Sequence, residues 1–578
     1  MHRPLMLTAL VVAGLLGLGF APSFEAFGLN VGRVDILSSL RPEIVVEAPV
    51  DYEADMTKLE EEILEVEEVV DSLPETPPVT YTIVSGEPMA MQRAALTSSS
   101  LLPDTTKAIV AIEDFDTAEV SALDRFVQKL VDGDDVRIAF LGDSFVEGDI
   151  VTVDMRDQLQ RVYGGRGVGF VPCDIPYAIA RNSVKRIATG WVSYSVMNPK
   201  KAPVGVRDNF YVSGFVAKGG AGARANWQSV NSFPTIDSCN VARVFFASPG
   251  DSRVEVVVND TMRQQFDVEG ADKLRQIYIE NPVKSLSFKV LNGNVMCYGA
   301  SLESGEGGVT VDNFSIRSNS GNAIFGTSAV VNRQFDQLLD YDLVVLQYGL
   351  NIMTASQRDY SKYRAKVCDM IEYAKRCFPN AAILVLGVSD RWVRSNGSYV
   401  PMSSVAALTS YQRSAAEMSG VAFWNTSKAM EEHGGMKGFV SKGWAARDYT
   451  HINFAGGKRI ATALVRAINL RAYDELVKRE NEEAAETEQV PVAAEPVAVE
   501  PAAVQPVTPV KVVVEVPVAC DSVAKTTVVE HEAADSVPNE QSVVKIDTAK
   551  LDDVNVDSLA VKSDSVVTEV VKENIVLQ

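Results

Sequence analysis

Three short stretches of the chain hold side chains whose types and spacing could support acyl transfer. Ser144 stands in Gly142-Asp-Ser144, at the end of an apolar run and just before a helical pattern. A free serine hydroxyl is a poor nucleophile and needs an adjacent base. The same tripeptide also makes ordinary turns with a helix cap. Asn351 lies in Leu346-Gln-Tyr-Gly-Leu-Asn351, again just past a buried-strand pattern. An asparagine amide there can donate to a developing oxyanion, or simply cap a turn. The third stretch is Asp448-Tyr-Thr-His451. A carboxylate three residues before a histidine can accept from the imidazole and fix its tautomer. The chain has only 4 histidines, so the choice of base is narrow. His2 belongs to an amino-terminal export-like segment, His531 to an acidic tail, and His433 to Glu431-Glu-His-Gly-Gly, which reads as an exposed loop.

The elements that must position these residues alternate between strand and helix. Val136–Leu141 reads as a buried strand, followed by a helix over 149–163 that closes at Gly164-Gly165. Strands are expected again at 342–347, 381–387 and 421–425, with helices over 121–131, 356–376, 405–418 and 453–470. This alternation implies a parallel sheet covered by helices. From about 185 to 303 the pattern changes to short β-like runs: 190–196, 209–213, 242–247, 253–258, 276–279 and 286–290. Turn residues such as Ser248-Pro-Gly-Asp separate them, which predicts an antiparallel β-sandwich inserted into the α/β domain. The aromatics Trp191, Tyr194, Tyr211 and Trp227 either fill its core or bind sugar. Asp390-Arg391-Trp392 follows a strand and could line a substrate pocket.

Taken together, Gly142-Asp-Ser144, Gly349-Leu-Asn351 and Asp448-Tyr-Thr-His451 resemble blocks I, III and V of the SGNH/GDSL hydrolases. The resemblance covers roughly 130–180 and 305–472. It implies a three-layer α/β/α fold with a parallel sheet, interrupted by the β-sandwich. It also implies Ser144 as nucleophile, His451 as base, Asp448 as its orienting carboxylate, and an oxyanion hole from Ser144, Gly321 and Asn351. Gly321, in Ser318-Asn-Ser-Gly-Asn, is the best match to the block II glycine. The stretch 142–149 with Gly164-Gly-Arg-Gly-Val-Gly-Phe-Val-Pro172 resembles a narrower group: exported members, peptidoglycan O-acetylesterases among them, that carry a carbohydrate-binding-like β domain between blocks I and II. Many of that group have histidine after the serine, where this chain has Phe145. The implied activity is hydrolysis of O-acetyl esters on glycan or peptidoglycan, with no metal or cofactor. An O-acetyltransferase using the same residues, or a non-catalytic glycan-binding scaffold, are the alternatives.

The remaining sequence bounds the setting. A net charge of −22 over 578 residues argues against binding nucleic acid through a general basic surface. Residues 480–578 hold 20 acidic and 6 basic side chains, so −14 of that charge belongs to a Val/Ala/Pro/Glu-rich end expected to be disordered. An apolar run from Leu5 to Ala21 reads as a secretory signal or a retained anchor, placing the bulk of the chain in the periplasm or cell envelope. Met56, Leu59, Ile63, Val66, Val70 and Leu73 form a short heptad seam that would support a dimer. The expected divisions are 1–27 signal or anchor, 28–112 spacer, 113–184 and 304–475 α/β domain, 185–303 insert and 476–578 tail. The 6 cysteines show no ligand spacing for zinc, and Cys239 and Cys297 fall in one β-rich region where they could pair.

Overall fold

Val136 to Gly142 are all buried, which a strand can be only when both its faces are covered. In the computed structural model this strand, β1 (Asp135–Gly142), lies inside a five-stranded sheet. Its companions are β2 (Gly308–Ser315), β3 (Leu343–Gln347), β4 (Ala382–Gly387) and β5 (Ala422–Asn425). The order is β2-β1-β3-β4-β5, and every neighbouring pair is parallel. The structure describes residues 77–84 and 95–488, apart from 105, 178, 180 and 306, together with the backbone of 24–26 and 29–31. The apolar run 5–21, the heptad seam 56–73 and the chain beyond 488 lie outside the described residues.

The helices form two groups on the sheet. Helices α1 (Ala122–Asp132), α2 (Thr152–Tyr163) and α6 (Phe454–Glu488) pack together, as do α3 (Ala329–Leu339), α4 (Ser361–Cys377) and α5 (Ser404–Met418). Helix α1 starts where the sequence places it. Ser121 accepts from Asp124 N–H at 2.9 Å, Asp124 reaches back to Ser121 N–H, and Gly133 ends the helix at φ 81°. Among the described residues no helix is long and apolar enough to cross a membrane.

Between α2 and β2 the chain builds nine strands of a ten-stranded system with its own core, in which Trp227, Phe246, Ile277 and Phe288 are fully buried. The 15-residue strand Phe215–Ser229 joins its two halves: 217–220 pair with 294–297, while 224–228 pair with 285–289. A β-rich insert interrupting an α/β domain is therefore present. Four expectations need correction. Residues 209–213 form a turn, not a strand, because Phe210 and Tyr211 fill the α/β core, where Tyr211 stacks on Phe335 at 3.7 Å. Val79–Val84, expected in the spacer, is an edge strand of the insert and pairs in parallel with Ala271–Val283. The last helix does not stop near Leu470 but runs 35 residues to Glu488, past the expected start of the tail at 476. The five described cysteines are free, and it is Cys173, not Cys239, whose thiol lies beside Cys297.

A buried ion cluster fastens the insert to the sheet. Arg137 on β1 donates to Asp312 Oδ2 at 2.8 Å and Oδ1 at 3.1 Å on β2, and to Glu303 and Ser301 on the insert's last strand. Asp312 also accepts from Tyr341 OH at 2.7 Å and from Phe170 N–H at 2.6 Å. A buried charge is tolerable only when paired and hydrogen-bonded in this way.

Candidate active site

In a parallel sheet of this order the chain leaves β1 and β3 in diverging directions, opening a crevice at their carboxyl ends. Ser144 and Asn351 both stand there. Strand β1 ends at Gly142, where a Cβ would strike Val146 and lie 2.9 Å from Gln347 Oε1 of β3. Asp143 N–H reaches that same oxygen at 3.4 Å. Asp143 Oδ1 then accepts from Phe145 N–H at 2.9 Å, which turns the chain back on itself. Phe145 and Val146 are buried and anchor the turn, leaving Ser144 partly exposed between buried neighbours.

The loop before α6 brings the imidazole to this serine. Ser144 Oγ lies 3.5 Å from His451 Nε2, and His451 Nδ1 lies 2.7 Å from Asp448 Oδ2. With Nδ1–H donated to the carboxylate, Nε2 is left as the acceptor facing the hydroxyl. Asp448 Oδ1 also accepts from the backbone N–H groups of Thr450 at 2.9 Å and His451 at 3.1 Å. Burial pushes the Asp448 carboxyl up, but the bonds from the imidazole and the two N–H groups outweigh it, so its pKa falls below the ordinary value. Asn453 caps α6 by accepting from Ala455 at 3.0 Å and Gly456 at 3.2 Å, which fixes where this loop ends. His433 is not in an exposed loop: its ring is half-buried against Trp444 at 5.3 Å.

Asn351 and Gly321 meet at the same place through one shared residue. Asn351 Nδ2 donates to Asp143 Oδ2 at 3.1 Å and to the backbone carbonyl of Asn319 at 3.0 Å. Gly321 N–H donates to Asn319 Oδ1 at 2.8 Å. Gly321 has φ 106° and Gly349, before Asn351, has φ 125°, so both turns use backbone that side chains resist. The two expected oxyanion donors are thus gathered beside Ser144's neighbour, but each is bonded inward. Buried N–H groups take the nearest acceptors in this way.

Asp143 and Asn319 received no role from sequence, although both lie in motifs that it singled out. Asp143 is fully buried, and that burial pushes its carboxyl up to about 7. The Phe145 N–H, the nearby imidazole and Gln347 oppose the rise without cancelling it. Of the aromatics considered for sugar binding, Trp227 and Tyr211 are fully buried, Trp191 stacks toward Phe288 at 6.3 Å, and Tyr194 packs on the α/β core. Among the described residues no group of three His, Cys, Asp or Glu side chains gathers as a metal site.

The α/β/α sheet order and the Ser, Asn, Asp and His residues at its carboxyl edge define the class that this chain resembles, the SGNH/GDSL hydrolases. No family model matches the chain, and no curated protein is similar to it. Among solved structures, a peptidoglycan O-acetylesterase aligns with 65% of this chain and 99% of its own at 21% identity, with a TM-score of 0.52. That likeness establishes a shared fold. A family two carbohydrate esterase from Cellvibrio japonicus aligns with 50% of this chain and 99% of its own at 11% identity, with a TM-score of 0.21.

Proposed function

We propose that this protein is an extracytoplasmic serine esterase that removes O-acetyl groups from glycan or peptidoglycan through an acyl-enzyme. The reading rests on one observation: Ser144, His451 and Asp448 form a hydrogen-bonded series, 3.5 Å and then 2.7 Å, at the carboxyl edge of a parallel sheet. Two further facts support the substrate and the compartment. One similar solved structure is named as a peptidoglycan O-acetylesterase, and residues 5–21 form an apolar run suited to export.

In this reading His451 Nε2 takes the proton of Ser144 as Oγ attacks the ester carbonyl carbon. The carbonyl oxygen becomes an oxyanion held by the N–H of Ser144 and Gly321 and the amide of Asn351. Asn351 must exchange one of its two present contacts for it, and Gly321 N–H its bond to Asn319 Oδ1. Collapse breaks the ester C–O bond, the imidazolium gives its proton to the departing sugar oxygen, and acetyl stays on Ser144. Water, deprotonated by the same imidazole, then attacks the acetyl carbon; the bond from that carbon to Ser144 Oγ breaks, the imidazolium returns its proton to Oγ, and acetate leaves. The low pKa of Asp448 keeps that carboxylate charged, which stabilises the imidazolium in both halves.

The test is hydrolysis of p-nitrophenyl acetate by the full chain, then acetate release from O-acetylated peptidoglycan. Ser144→Ala and His451→Ala should each lower kcat by on the order of 10⁴–10⁶-fold. Equal activity in wild type and both variants would remove the esterase reading. Acetyl transfer to an added sugar in place of acetate release would assign the same residues to an acyltransferase.

A further inference from the structure

Tyr449 stands between the two residues of the Asp448–His451 pair with φ 57°. Left-handed backbone is uncommon outside glycine and is an outlier for a side chain this bulky, so the surroundings must hold it there. The conformation has a visible consequence. It folds 448–451 tightly enough for one carboxylate to meet Thr450 N–H, His451 N–H and His451 Nδ1 together. The loop is also closed at its base, where Ala446 N–H donates to the His451 carbonyl at 2.7 Å. This φ is part of the backbone path that sets the His451 ring between Asp448 and Ser144.

What holds Tyr449 is a hairpin that the catalytic reading does not use. Its strands are Trp392–Ser395 and Ser398–Pro401, joined through Asn396 and Gly397 at φ 48° and 83°. The Tyr399 ring stacks on Tyr449 with centroids 4.0 Å apart and planes at 22°. Trp392 approaches the same ring at 6.2 Å and 29°, and its backbone N–H donates to the Tyr449 carbonyl at 3.2 Å. The Trp392 ring is locked in turn. Its Nε1–H donates to Asp390 Oδ2 at 3.1 Å, and that oxygen also accepts from Met436 N–H at 2.7 Å. At the hairpin base Arg391 Nη1 donates to the Leu350 carbonyl at 3.1 Å, one residue before Asn351. One hairpin therefore ties down both the histidine loop and the asparagine turn.

We infer that Trp392 and Tyr399 are positioning residues for the reaction: they clamp Tyr449 in its left-handed conformation and so set His451 against Ser144. The inference rests on the acyl-transfer reading for its consequence in turnover, but not for the clamp itself. Tyr399 is 39% exposed, so its removal leaves the core intact.

The experiment uses the full chain with Tyr399→Ala, Tyr449→Gly and the double variant. Two readouts are p-nitrophenyl acetate kinetics and the downfield proton NMR resonance of the His451 Nδ1–H held by Asp448. Tyr399→Ala should lower kcat about tenfold with KM little changed, and should broaden or remove the resonance. Glycine takes positive φ freely, so Tyr449→Gly should keep both, and adding Tyr399→Ala to it should change nothing more. The clamp is refuted if Tyr399→Ala leaves kcat and the resonance as in wild type, or if it costs the same in the Tyr449→Gly background. Tyr399→Leu, apolar but without a ring, gives the same readings should the alanine variant not fold. A wild-type chain that hydrolyses no ester would overturn the esterase reading alone, since the resonance decides the clamp without turnover.

Discussion

Asp143→Asn isolates what a buried carboxyl does to this turn. The carboxyl is fully buried, and its rise from 3.8 to about 7 is caused first by that burial. A rise of this size corresponds to roughly 4 kcal/mol between the two protonation states. The sign follows from linkage. The folded chain binds this proton more tightly than the unfolded chain, so its stabilising contribution is complete below the unfolded value of 3.8. It is lost as pH rises through about 7, beyond which the folded state carries the full cost of a buried charge. Asparagine never charges. It keeps the acceptor for Phe145 N–H but sets one amide against Asn351 Nδ2, losing about 1 kcal/mol of hydrogen bonding. Near pH 4 the variant should be the less stable by about that amount; near pH 8 it should be the more stable by roughly 2–3 kcal/mol. Denaturant unfolding of both proteins at several pH values measures the difference. Other carboxyls with raised values, such as Asp336 at about 6, titrate in both proteins and cancel. Parallel stability curves for the two proteins would refute the argument that burial governs Asp143.

Three further outcomes are expected. Asp312→Ala strips Arg137, Tyr341 OH and Phe170 N–H of their shared buried acceptor, and should cost about 3–5 kcal/mol in denaturant unfolding. Asn351→Ala should lower kcat by on the order of 10²–10³-fold on an acetyl ester while leaving the fold, read by circular dichroism, unchanged. Ser121→Ala removes the cap of α1 and should cost about 1 kcal/mol, with no effect on turnover.

The sheet was legible where apolar residues dominate its strands. Residues 136–141, 343–347 and 382–387 are buried on both faces, and their sequences say so. Strand β2 was not, because Thr310, Asp312 and Asn313 interrupt it; Asp312 and Asn313 are buried to meet Arg137, Val146 and Thr152, which are distant in sequence. Val79–Val84 alternates like a strand, but its partner lies some 200 residues on. The extension of α6 depends on contacts that its own polar sequence does not announce: Arg479 pairs with Asp132, and Glu480 accepts from Ser98 N–H at 3.0 Å. At the site, the residue types foretold which groups meet. They did not foretell that Asp143 and Asn319 would bind the amide groups inward, nor that Tyr449 would need a hairpin to hold it, since both follow from backbone geometry rather than from side-chain chemistry.

The ion cluster at the seam has a consequence for how this architecture can change over time. Because Arg137 of β1 draws on Ser301 and Glu303 of the insert as well as Asp312, the insert is not a detachable cassette. Excision, or exchange for another β-rich segment, would strip that guanidinium of Ser301 and Glu303 and leave it with Asp312 alone. Recombination that carries both sides of the junction together keeps the cluster whole.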